Sequence, residues 1–188
     1  DPIPGVRIYS DATNDLAGSQ AGGFASMTIV HGAAPMSFVV TVRNASDTTV
    51  YPGALTPVVW SLHNSDISLF TVGEAASPGL EALAEDGDPS VLASELTGAV
   101  GVGTAGVQAI PTGATEAGPI LPGGEYQFTI TVDPAYPYLS TAQMIVPSND
   151  AFLAFGPMGI ALLDEAGDRR SEADIAADVA AELIAWDA

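Results

Sequence analysis

The sequence predicts a mainly β protein, an antiparallel β-sandwich with short helices in its loops and near its C-terminus. Three observations predict it. Segments 37–44 (SFVVTVRN) and 125–132 (EYQFTITV) alternate apolar and other residues with the period of two that a half-buried strand needs. Turn-forming clusters such as 44–47 and Leu121-Pro122-Gly123-Gly124 separate the apolar segments. Helical spacing is confined to short stretches with their own start and stop signals.

Residues 1–23 are weakly patterned, with Val6, Ile8 and Leu16 able to seed a short strand at a sheet edge. This arm has no core of its own. It packs on its own sandwich or completes a neighbour's sheet by strand addition. Gly22-Gly23 hinges it to a strand over 24–30. Segment 57–62 (PVVWSL) is another strand, with Trp60 as a core anchor, and 68–72 is a short one. Ser77-Pro78 opens a helix through Leu80 and Leu83; Gly87 breaks it, and Asp88-Pro89-Ser90 starts a second carrying Leu92 and Leu96. Residues 98–118, rich in Gly, Ala and Thr, read as a long surface loop. Its GVGTAG has no strand–helix unit around it and no Lys to reach a phosphate, so it is discounted as a phosphate loop.

The stretch 139–150 (LSTAQMIVPSND) reads as a half-buried strand ended by Pro147, which has no N–H for the ladder. Ser148, Asn149 and Asp150 form a polar tip before Phe152 and Phe155 return to the interior. Residues 159–163 are a short strand. Ser171-Glu172-Ala173-Asp174 is a capping box. It opens a helix with Ile175, Val179 and Leu183 on a docking face and Asp174, Asp178 and Glu182 on a solvated one. Arg169 and Arg170 precede its N-terminus, an unfavourable place for cations, and are expected to pair with nearby acids.

The 188 residues suit one domain with a proper core, and 47% hydrophobic content excludes a disordered acidic tail. Against 23 Asp and Glu stand four Arg and no Lys, a net charge of −19. That field repels nucleic acid and anionic membranes and favours cations or a partner with a basic face. There is no Cys, hence no disulfide and no thiol chemistry. No apolar run approaches the length of about 18 residues that spans a membrane. The start at Asp1 without Met is consistent with a secreted chain freed of its signal peptide, and equally with a fragment of a longer chain. Asn44-Ala45-Ser46 fits a glycosylation sequon, a pattern frequent by chance.

An acid on a rigid turn between buried strands suits a hard-cation ligand, which makes Asp150 a candidate; a turn cap is its alternative role. Glu85, Asp86 and Asp88 around the Gly87 break read as a solvated turn. They lack the repeated ligands and closing Glu of an EF-hand loop. His63 and His31 read as loop hydrogen-bonders without a nucleophile partner. Nothing marks a catalytic centre: GxSxG, HExxH and a histidine–acid cluster are all missing, so no enzyme is expected.

Several motifs occur together in order: VVWSLHNSDISLFTVGEAASPGLEALAEDGDPSVLASEL, then GPILPGGEYQFTITVDP, LSTAQMIVPSNDAFLAF and a terminal WDA. Over Ser37 to Ala188 the chain resembles the spondin domain in its bacterial form. The resemblance implies a C2-like antiparallel sandwich in residues 37–188, preceded by the arm 1–36. It implies a secreted or cell-surface module of matrix and adhesion type, with protein or matrix partners, and calcium held in loops at one end. Carried over to this chain, the implied metal ligands are Asp150, from the PSND turn, and Asp187, from the terminal WDA. A second acid of that family ending has no counterpart, since the chain finishes at Ala188. The alternative reading is a structural subunit of an extracellular filament, a homo-polymer assembled through the N-terminal arm.

Overall fold

The computed structural model describes residues 5–8, 21–48, 52–146 and 148–188. Two antiparallel sheets form its frame. The small sheet has β2 (Ala25–His31), β3 (Ser37–Asn44) and β7 (Glu125–Thr131), in the order β2-β3-β7. The large sheet runs β1-β11-β9-β8-β5-β6. These strands are β1 (Arg7–Ile8), β5 (Val58–His63), β6 (Val102–Gln108), β8 (Tyr138–Val146), β9 (Ala151–Ala154) and β11 (Ile184–Asp187). Two short strands, β4 (Ala54–Leu55) and β10 (Ile160–Ala161), also pair with β8.

Alternation along the strands divides the interior. From the small sheet, rungs such as Met27–Val42–Tyr126 and Ile29–Val40–Phe128 line up in register. Leu62, Leu139, Ile145 and Leu153 come from the large sheet, and the Trp60 ring stacks on Phe128 with centroids 5.9 Å apart. The other face of the large sheet buries Val59, Ala142, Phe152 and Trp186 under α2 (Pro78–Asp86) and α3 (Pro89–Leu96). The fourth helix, α4 (Glu172–Glu182), packs on β2 and β10 and sends Ile175 and Val179 into the core between the sheets. The remaining helical turn, α1 (Ala21–Phe24), leads into β2 and contains the Gly22-Gly23 pair expected as a hinge.

Local chemistry accounts for the helices. The Ser77 hydroxyl accepts from the Leu80 amide, and Gly87, at φ 70°, closes α2 in the left-handed conformation. Asp88 caps α3 by accepting from the Ser90 amide at 2.8 Å. Ser171 caps α4 by accepting from the Asp174 amide at 3.1 Å.

Four expectations are corrected. First, 102–108 is an edge strand rather than loop. Its glycines make room for rings: a Cβ on Gly103 would lie 2.3 Å from Tyr136, and one on Gly106 2.9 Å from Trp60. Second, β8 is buried on both faces rather than half-buried, because it is central in the sheet and α2 also packs against it. Pro147 lies outside the described residues. Third, 68–72 forms no strand; its contribution is Phe70, which enters the outer core. Fourth, Arg170 pairs with Asp178 at 2.7 Å as expected, but Arg169 donates to the Gly32 carbonyl.

Asn44 ties the small sheet to two loops. Its Nδ2 donates to the carbonyls of Gly53 (2.8 Å) and Ile120 (3.0 Å), and its Oδ1 accepts from the Ser46 amide and hydroxyl. It is fully buried, so the sequon offers no glycan acceptor in the folded chain. Asn44→Ala strands these partners and is expected to cost about 2–4 kcal/mol, since each buried unsatisfied group costs about 1–3 kcal/mol. Thermal unfolding followed by circular dichroism should show a Tm lowered by about 4–16 °C, at about 2–4 °C per kcal/mol for this size.

Candidate functional site

The predicted acids converge on one end of the large sheet. The Ser148 amide donates to the Ile145 carbonyl, and its hydroxyl accepts from the Ala151 amide at 3.1 Å; together they shape the turn that carries Asp150 from β8 into β9. Strand β11 pairs with β9, setting Asp187 opposite Ala151. The next rung joins the Ala188 amide to the Asp150 carbonyl at 3.1 Å. Asp150 and Asp187 therefore sit on adjacent rungs.

Strand β1 adds the outermost rungs, Arg7 opposite Asp187 and Ile8 opposite Trp186. The Arg7 guanidinium forms a salt bridge with the Asp187 carboxylate. Before it, Val6 exchanges two backbone hydrogen bonds with the loop after Phe70: its amide donates to the Glu74 carbonyl (2.8 Å), and its carbonyl accepts from the Gly73 amide (2.7 Å). The Val6 side chain is fully buried in the cluster of Phe70, Phe152 and Trp186. Gly5 adopts φ 110°, and a Cβ there would lie 2.5 Å from the Gly73 backbone. Only glycine fits that approach.

These contacts nearly balance their cost. Ordering four backbone residues costs about 4–8 kcal/mol. Burying Val6 returns about 2 kcal/mol, each hydrogen bond about 1 kcal/mol, and an ion pair with Arg7 43% exposed at most about 1 kcal/mol. Residues 5–8 therefore form a clasp held by a small margin.

A calcium ion takes about six to eight oxygen ligands. Among the described residues, no group of three or more His, Asp or Glu gathers to hold a metal. Asp88 is committed to its cap, where Ser90 holds its carboxyl below the usual range. With Arg7 on Asp187, and Asp150 one rung away, the described side chains do not by themselves form a calcium shell.

The histidines also find partners. His31 ends β2, with its Nε2 2.8 Å from the Arg170 carbonyl oxygen and its backbone amide donating to Glu172. His63 is not in a loop: it is the last residue of β5, fully buried, and it faces a hydroxyl. Its Nδ1 lies 2.8 Å from the Asn64 carbonyl, which only accepts, so Nδ1 carries the hydrogen and Nε2 accepts from the Ser140 hydroxyl at 2.8 Å. A serine–histidine pair is thus present where the sequence shows none, since 77 residues separate its members. It is sealed. The Tyr138 ring stacks on the imidazole and lines a cleft of about 670 Å³ between 134–138 and 163–170, to which neither His63 nor Ser140 contributes a wall.

A profile of the Spondin_N family, the spondin N-terminal domain, matches residues 44–188. The chain belongs to this family. No curated protein matches it. The match begins at the buried Asn44, so β4 to β11 and the helices α2 to α4 fall within the spondin domain, and β1 to β3 precede or straddle its start. No described helix is long and apolar enough to cross a membrane.

Burial pushes the His63 imidazole below its ordinary pKa of 6.5. The unfolded chain therefore takes up this proton first. The stability contributed by neutral His63 is complete above pH 6.5 and is lost as pH falls from 6.5 through the lower folded value. Urea unfolding at pH 7.5 and pH 5 should show a steeper acid loss for the native chain than for His63→Gln.

Proposed function

We propose that this spondin domain is a secreted or cell-surface, non-catalytic module that attaches to a protein or matrix component outside the cell. The family carries this reading, because spondin domains are extracellular matrix and adhesion modules and generally not enzymes. Two features support it: the only Ser–His pair among the described residues is closed off, and the surface carries strong negative charge. A basic face on the partner would complement that charge. The test is saturable retention of labelled chain on surfaces coated with extracellular matrix, weakening as salt rises. Retention no greater than on a blocked surface would end the reading.

Calcium at Asp150 and Asp187 is a further proposal of ours. The shared ladder end supports it. It requires oxygen donors beyond these two carboxylates and an Asp187 released by Arg7. If the ion binds there, Asp150→Ala lowers Tm in calcium by several degrees and much less in chelator. An equal loss in both conditions makes Asp150 a structural turn residue.

A second reading is a filament subunit joined by N-terminal strand addition. The observation favouring it is the place of β1, at the edge of the large sheet.

A further inference from the structure

The seat of residues 5–8 is specific. Val6 fills an apolar socket formed with Phe70, Phe152 and Trp186. Arg7 meets Asp187. Gly5 lies on Gly73 at a distance that no side chain tolerates. The backbone rungs on β11 and at Gly73 and Glu74 complete the fit. The seat thus recognises the order Gly-Val-Arg with an apolar knob, a cation and an absent side chain at fixed positions. A second copy of this chain presents that same order in its own residues 5–7.

We propose that residues 5–8 are an exchangeable edge strand, and that the partner of the β11 edge is the corresponding segment of another copy. The inference rests on the strand-addition reading above and adds the anchor and the clasp. When the segment leaves, it opens the socket and exposes the outer edge of β11. An open edge is a template for another strand. The thirteen peptide steps from Ile8 to Ala21 reach at most about 45 Å, enough to cross to an adjoining copy. The same tether sets the competition. Covalent linkage keeps the arm near its own seat whatever the protein concentration, so exchange belongs to concentrated chain. Reciprocal exchange between two copies closes a dimer, and head-to-tail exchange extends a filament.

The chain has no Cys, which gives a clean trap. One full-length variant carries Arg7→Cys and another carries Asp187→Cys, positions opposite each other in the β1–β11 ladder. The two are mixed at high concentration and oxidised. Each variant oxidised alone measures random coupling of like thiols. A single chain carrying both substitutions reports cis docking by closing an internal disulfide.

The expected result is a covalent heterodimer of twice the 19.0 kDa chain mass, at least fivefold above the coupling of either variant alone. Its yield should rise with concentration and be lost when the Arg7→Cys chain also carries Val6→Asp. That loss separates seated exchange from collision, because the acceptor chain keeps an intact fold. Heterodimer at the level of random coupling, while the doubly substituted chain closes internally, overturns the proposal. So does heterodimer that survives Val6→Asp. Matrix retention is measured separately, so failure here leaves the adhesion reading standing.

Discussion

The structure depends on the pairing of β8 with a strand on each side. Strand β5 lies against one edge and β9 against the other, while β4 and β10 pair with its two ends. Both its faces are buried, one between the sheets and one on the side of the large sheet that carries α2 and α3. Every rung outward is positioned by this strand: β9 fixes β11, and β11 offers its free edge to β1. The ladder therefore loses support stepwise, from a strand buried on both faces to an outermost strand of two residues. A gradient of local stability of this kind is where exchangeable segments arise.

Charge and function meet at the weak end of that gradient. The chain has four arginines against 23 acids, and one of the four is placed at the last rung, on Asp187. A carboxylate near others of its sign is stabilised by any cation, whether a side chain or a metal. Arg7 supplies that charge from within the chain and couples it to the position of the arm. For a spondin domain, this joins the question of what binds the sheet end to the question of where residues 5–8 lie.

Much of the fold was legible where one residue decides the local geometry. Ser77, Gly87, Asp88 and Ser171 announce helix ends through hydrogen bonds with near neighbours, and all four act as expected. The alternation of 125–132 likewise reports a face that is buried. What escaped depends on distant partners. Gly103 and Gly106 look like loop residues until Tyr136 and Trp60 lie across them. Thr141 and Gln143 look like a solvated face of β8 until the layers above and below close over them. His63 has no visible partner until β5 and β8 align it with Ser140. Asp150 and Asp187 share one end of the large sheet. The PSND turn suggests Asp150 locally, whereas the family motif alone suggests Asp187, and nothing local to Arg7 reveals that it pairs with Asp187.

The central claim is that residues 5–8 are seated on the large sheet through Val6. It is tested most directly by amide hydrogen exchange at Val6, whose N–H donates to the Glu74 carbonyl and whose carbonyl binds the Gly73 amide. The account predicts both amides protected by at least about tenfold over the unstructured rate, and less than the amides of β8, as expected of a segment that opens locally. Exchange of the Val6 amide at the unstructured rate, with β8 fully protected, would contradict it.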